Sequence, residues 1–173
     1  MNLTALAGLM PGKRAPSHNY YRMVNEADAS TIDEIGFSLL RGWRYNPKND
    51  FGVLYLSVSP KCAYQEKLKQ VGGRQQDLLP QVVGKYNASL NKCLDLSDAS
   101  VLASLEISVE DLVHPDDYSS PVAISREARR LGFEAIIAPS AIGADCSSLV
   151  VYKDKLNPPS YCKLEDIQKY HHK

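Results

Sequence analysis

The chain has 173 residues, 44% hydrophobic and 23% charged, with 20 lysines and arginines balanced by 20 aspartates and glutamates. That length suits one domain, and zero net charge argues against a general nucleic-acid or membrane-surface binder. The opening stretch "MNLTALAGLM" has no basic residue ahead of it and is too short for a membrane span or a good signal peptide, so a cytoplasmic protein is expected, acting where it is made or where something delivers it.

Residues 1–18 read as a loose N-terminal arm. His18 to Val24 is aromatic and β-favouring and predicts a first strand. Residues 26–40 mix helical spacing (Ile32, Ile35, Leu39) with Gly36 and Ser/Thr content that weakens it. Val53 to Ser57 predicts a short strand. Ser59-Pro60 then starts a helix, with serine as N-cap and proline in the first turn, that runs to about Val71 and stops at Gly72-Gly73. Tyr64, Leu68 and Val71 share one face of it, and Glu66 lies away from them, one turn beyond Cys62 and Ala63.

Gln81 to Ala88 and Lys92 to Leu96 read as two strands, and acidic helical pieces fall near 98–104 and 108–113. Ser120-Pro121 opens a helix with Ile124, Ala128 and Leu131 on one face, closed by Gly132. Glu134 to Ala138 and Ser147 to Tyr152 are two more strands, and residues 157–173 form a tail with a short polar helix near 163–170. Mixed strands and helices without regular βαβ units define an α+β domain over residues 19–156.

No lysine or arginine occurs between Lys92 and Arg126, an interval holding Asp95, Asp98, Glu106, Glu110, Asp111, Asp116 and Asp117. A solvated acidic face explains this, and a docking surface for a basic partner is the sharper reading. The cysteines, Cys62, Cys93, Cys146 and Cys162, form no C-x-x-C pair and have no histidine at ligand spacing, so no metal is expected. Free thiols are the default, with a Cys146–Cys162 bridge as an unsupported alternative.

The chain has no P-loop, G-x-G-x-x-G, G-x-S-x-G or H-E-x-x-H, and its four histidines do not suit a nucleophilic triad. What remains is an inventory of arginine, tyrosine, glutamate and serine. Arginine forks phosphate oxygens, aromatic rings stack on flat heterocycles, and a carboxylate stabilises an oxocarbenium-like centre. Together these groups suit a dinucleotide whose N-glycosidic bond is to be broken. Singly, each has an ordinary explanation as a salt bridge, a core ring, an exposed helical glutamate or a turn serine.

The order "YYR" (20–22), "GWRYNP" (42–47), "FGVLYLSVSPKCAYQE" (51–66), "KCLDLSD" (92–98), "SREARRLGFEAIIAPSA" (125–141) and "SLVVYKDKL" (148–156) resembles the RES-domain family over about residues 19–156. The resemblance implies a compact ADP-ribosyltransferase-like fold, with a mixed or antiparallel sheet and flanking helices. It implies a bacterial toxin that splits nicotinamide from NAD+, with water or phosphate as acceptor and NAD+ as substrate rather than cofactor. A cognate antitoxin or immunity protein is the implied partner, as in toxin–antitoxin pairs or antibacterial effectors.

By the same resemblance, Glu66, Arg22 and Ser140 are catalytic. Glu66 would stabilise the transition state, Arg22 would meet the pyrophosphate or the nicotinamide ribose, and Ser140 would bond the ribose region. Arg44 takes a phosphate, Tyr55 packs on nicotinamide or its ribose, and Asn46 belongs to the same turn. The family's Gly-Gly-Arg-Trp-Asn reads Gly42-Trp43-Arg44-Tyr45-Asn46 here, so Trp43 stands where a glycine is usual, and Val122-Ala123 stand near a usual threonine–glutamine pair. The alternatives are an ADP-ribosyltransferase acting on a protein and a non-catalytic binding module.

Overall fold

The computed structural model describes residues 1–143 and 145–171, with side chains for all of these but Pro16 and Ser17. Six strands form one mixed sheet: β1 (Lys13–Asn25), β2 (Leu54–Ser57), β3 (Gln81–Asp95), β4 (Ala135–Pro139), β5 (Ser147–Val151) and β6 (Tyr161–Lys169). Their order is β1-β2-β5-β4-β3-β6, and β1 pairs with β3 as well, so five strands close into a ring with β6 alongside β3. Only β3 and β4 run parallel. The helices are α1 (Gly36–Arg41), α2 (Pro60–Gln70), α3 (Ala99–Leu105), α4 (Val109–Val113) and α5 (Ser119–Leu131). The expected α+β class is the one observed.

Strand alternation divides the apolar residues into two layers. Tyr20, Leu54, Leu56, Tyr86, Ala88, Ala135 and Val151 share one cluster, on one face of the ring. Their neighbours in sequence, Val53, Ile136, Ala138 and Val150, turn to the other face, where Leu102, Leu105, Leu112, Ile124 and Ala128 of α3–α5 cover them. A third cluster sets Ala63 and Tyr64 of α2 on Met23 of β1. Strand β1 follows β3 through ten register pairs but meets β2 at one, Tyr21 opposite Ser57. This seam lies one residue from Arg22 and three residues before α2.

The helix termini follow from local chemistry. Ser59 caps α2 by accepting the Cys62 N–H at 3.1 Å, with Pro60 in the first turn. Gly132 ends α5 at φ 90°, after Arg129 and Arg130 have placed positive charge at the helix C-terminus. The acidic interval is largely spent here. Asp98 caps α3 through the Ser100 N–H, Asp111 completes a capping box with Ser108, and Asp117 accepts the Ser119 N–H. Asp95 accepts the Ser97 N–H and is paired with Lys13 at 2.7 Å.

Four sequence expectations need correction. The N-terminal arm is not loose: residues Leu3–Leu9 form a 3-10 helix with Leu6 fully buried, and Asn2 N–H donates to the Leu105 carbonyl. The two pieces at 81–88 and 92–96 are one strand, because β3 changes partner from β6 to β4 without breaking. The C-terminal helix is strand β6. Its Cys162 and Leu164 pack inward while Lys163 and Glu165 face out, an alternation that a charged edge strand carries and that a polar helix does not. The cysteines pair as Cys62–Cys146, leaving Cys93 and Cys162 free.

Burial pushes the Asp95 carboxyl up, but hydrogen bonds from Lys13 and Ser97 outweigh it, and the net shift is downward. A carboxyl lowered in the folded state adds stability above its unfolded value and loses it as pH falls through the folded one. Urea unfolding across pH 2–6 should therefore show stability falling below about pH 4, and Asp95→Asn should flatten part of that slope. An unchanged slope in the variant would contradict this role.

Candidate active site

Helix α2 carries Glu66, and β4 delivers Ser140 just past its last residue, Pro139. The two side chains meet: Ser140 Oγ donates to Glu66 Oε1 at 2.6 Å. Ser140 is fixed from its own loop as well. Its N–H donates to the Cys146 carbonyl at 3.1 Å, and its Oγ accepts the Ile142 N–H at 3.2 Å. The disulfide ties the same loop to α2 one turn before Glu66, with Cα atoms 5.7 Å apart. A cleft of about 350 Å³ lies around the disulfide, lined by Ser59, Lys61, Gln65, Ile142, Asp145 and the two cysteines but not by Glu66 or Ser140. Its lining thus includes the residue next to Glu66 and the residue bonded to Ser140.

Arg22 stands one residue beyond the seam on β1. Its Nη1 is buried and has no hydrogen-bond partner among the described residues. Burial lowers the guanidinium pKa, an effect partly offset by Tyr86 and Asp33. Lys67, next to Glu66 on α2, is also lowered, by burial first and then by the charge of Arg22. Arg22 thus lies within electrostatic reach of the helix that bears Glu66. Lys67 escaped the sequence reading, although its i+3 and i+4 spacing from Tyr64 and Ala63 puts it on their face of α2.

Arg44, Asn46 and Tyr55 form a separate constellation around the Trp43–Asn46 turn. Trp43 and Asn46 exchange backbone hydrogen bonds at 2.9 and 3.2 Å. Gly42 enters the turn at φ 67°, and a Cβ there would lie 2.8 Å from Lys48 N. The Tyr55 hydroxyl donates to Asn46 Oδ1 and accepts the Tyr45 N–H, both at 2.9 Å. Burial, the main cause, holds its pKa well above the ordinary phenol value. Asn46 Nδ2 donates to the Ser38 carbonyl at 2.6 Å. Arg44 Nη1 donates to the carbonyls of Leu112 and His114 at 2.8 and 2.7 Å, and the guanidinium lies over the Tyr118 ring, 4.5 Å from its centroid.

The structure therefore joins Glu66 directly to Ser140, places Arg22 within electrostatic range of their helix, and gathers Arg44, Asn46 and Tyr55 into the frame of the turn. A buried network missed by the sequence reading anchors that frame to α5 and to the end of β5. Ser125 Oγ donates to the Tyr45 carbonyl, and the Tyr152 hydroxyl meets Ser125 Oγ at 2.7 Å. Among the described residues, no group of three His, Cys, Asp or Glu side chains is placed to hold a metal, and no helix is long and apolar enough to cross a membrane.

A mixed α+β domain with a carboxylate–hydroxyl pair beside a cleft and a half-buried arginine at a strand seam defines the class. The RES domain model matches residues 14–168, and the chain belongs to that family. A relative named "Probable NAD(+) phosphorylase" from Mycobacterium tuberculosis is 31% identical over 111 residues, which cover 63% of this chain and 52% of that protein. The chain therefore spans about half the length of this curated relative. The fold also matches the crystal structure of the M. tuberculosis MbcT–MbcA toxin–antitoxin complex, with a TM-score of 0.76 and 15% identity over 97% of this chain and 91% of that one.

Tyr55→Phe removes the hydroxyl that joins Tyr45 and Asn46. It should cost about 1–3 kcal/mol in urea unfolding by stranding buried polar groups. A variant as stable as the parent would show that the turn does not depend on this bond.

Proposed function

We propose that the chain is a toxin that cleaves the nicotinamide–ribose bond of NAD+. The observation that carries the reading is the 2.6 Å Ser140–Glu66 hydrogen bond at the meeting of α2 and the β4–β5 loop, in a RES domain. A carboxylate held by a neutral hydroxyl has one fixed orientation, which suits it to face a developing cation. The buried, unpartnered Arg22 Nη1 supports the same reading, because an orphaned guanidinium N–H is costly until an acceptor such as a diphosphate or ribose oxygen arrives.

In this reading the anomeric C–N bond breaks, its electron pair stays on the pyridine nitrogen, and nicotinamide leaves neutral. Glu66 stabilises the oxocarbenium-like ribose, and Ser140 orients the carboxylate and the ribose edge. An oxygen nucleophile then bonds to the anomeric carbon. The name of the M. tuberculosis relative favours phosphate as that nucleophile. Arg44 and Asn46 serve through the turn they frame, and the Arg44 N–H groups not given to Leu112 and His114 are those a phosphate would take. An antitoxin partner is proposed because the neighbouring fold was solved as a toxin–antitoxin complex.

The test is product analysis by mass spectrometry of NAD+ incubated with the purified protein, with and without phosphate. The reading predicts nicotinamide together with ADP-ribose 1″-phosphate when phosphate is present. Nicotinamide with ADP-ribose in both conditions would make water the acceptor. Intact NAD+ in both would contradict NAD+ cleavage and leave protein modification as the reading to test, with labelled NAD+ in lysate.

A further inference from the structure

The disulfide is the feature of the site that the family reading leaves unused. Cys62 and Glu66 are four residues apart on α2 and so lie on one face, one turn from each other. Cys146 closes the loop that begins at Ser140, through the Ser140 N–H to Cys146 carbonyl bond. The covalent link and the Glu66–Ser140 hydrogen bond therefore join the same two segments, side by side. Other ties between them are weaker: Lys69 Nζ reaches the Ala141 carbonyl at 3.4 Å on an exposed surface.

The remaining thiols do not compete for this chemistry. Burial pushes both Cys93 and Cys162 up to about 12, which leaves almost no thiolate for exchange. The cystine has only slight exposure at each residue, yet both residues line the 350 Å³ cleft, which gives a reductant an approach.

We propose that the Cys62–Cys146 disulfide is a redox-sensitive positioning clamp, holding Ser140 against Glu66 so that turnover depends on the thiol poise of the compartment. The proposal rests on Glu66 and Ser140 being the reacting pair. In the reductive step a dithiol attacks one sulfur as thiolate, the S–S bond breaks through a mixed disulfide, and the dithiol leaves as its own disulfide. The cystine takes up two electrons and two protons and becomes two thiols. The loop carrying Ile142 and Cys146 is then held by hydrogen bonds alone, and the carboxylate loses its fixed partner for part of the time.

The experiment compares the full chain, oxidised and after tris(2-carboxyethyl)phosphine treatment, with the Cys62→Ser/Cys146→Ser double variant. Thiol labelling, amide hydrogen exchange and NAD+ kinetics are read on the same samples. Labelling should find Cys62 and Cys146 blocked before reduction and free after it. Exchange should quicken on reduction at Ile142 and Cys146 while β3 and β4 stay protected. The turnover number should fall about ten- to a hundredfold, the penalty for a misplaced reacting group, with KM for NAD+ nearly unchanged. The double variant should match the reduced protein and ignore reductant.

Free thiols at both positions in protein purified without reductant would overturn the clamp. So would equal turnover in the two redox states, or exchange rising through β3 and β4, which would make the bridge a general support of the fold. If NAD+ is untouched in every state, the cleavage reading fails, and local exchange alone decides whether the bridge holds the loop.

Discussion

The single register pair between Tyr21 and Ser57 is the constraint on which the site depends. Strand β1 pairs with β3 along most of its length but with β2 at this one register pair, so the ring is closed there at one point. Arg22 stands next to that point on one strand. On the other, the chain leaves β2 and enters α2 three residues later, with Ser59 and Pro60 setting the helix start. Glu66 is thereby carried to the loop that follows β4. The proposed reacting groups come from three segments distant in sequence, with Glu66 and Ser140 in direct contact and Arg22 within electrostatic reach of their helix.

Around this seam the protein uses two kinds of polar constellation. The Trp43–Asn46 turn is tied inward through Tyr55, Asn46, Ser38, Ser125 and Tyr152, which form a buried hydrogen-bonded network. The group at α2 is less satisfied. Glu66 has one hydroxyl partner, and Lys67 feels both burial and the charge of Arg22. The first arrangement makes a rigid wall. The proposed role of the second is to meet an anionic ligand, because two partly desolvated positive groups gain most from an arriving negative charge.

Much of the fold was legible from local signals. Ser59-Pro60, the acidic helical pieces near 98–104 and 108–113, and the α5 face ending at Gly132 all act within a few residues, where sequence is informative. The strands at 54–57, 135–139 and 147–151 announced themselves as short apolar runs. What was not legible depends on distant partners. The 3-10 helix at 3–9 is ordered because Leu6 finds a cavity beneath α5 and α3, and β6 is a strand because β3 offers it an edge. Cys62 and Cys146 are 84 residues apart, with no spacing rule to join them. For the site, resemblance pointed to the individual residues, but the division between the turn frame and the Glu66–Ser140 pair emerged only from the hydrogen bonds.

The proposed role of Glu66 is to act on the transition state of NAD+ cleavage. Glu66→Gln keeps the size of the side chain and an acceptor oxygen for Ser140 while removing the charge. Single-turnover kinetics and NAD+ binding measured on this variant separate the chemical step from affinity. The account predicts a chemical step slowed at least about a hundredfold, roughly 3 kcal/mol, with NAD+ affinity changed by less than about threefold, since the loss falls on the transition state. A variant that cleaves NAD+ at the parent's rate would contradict it.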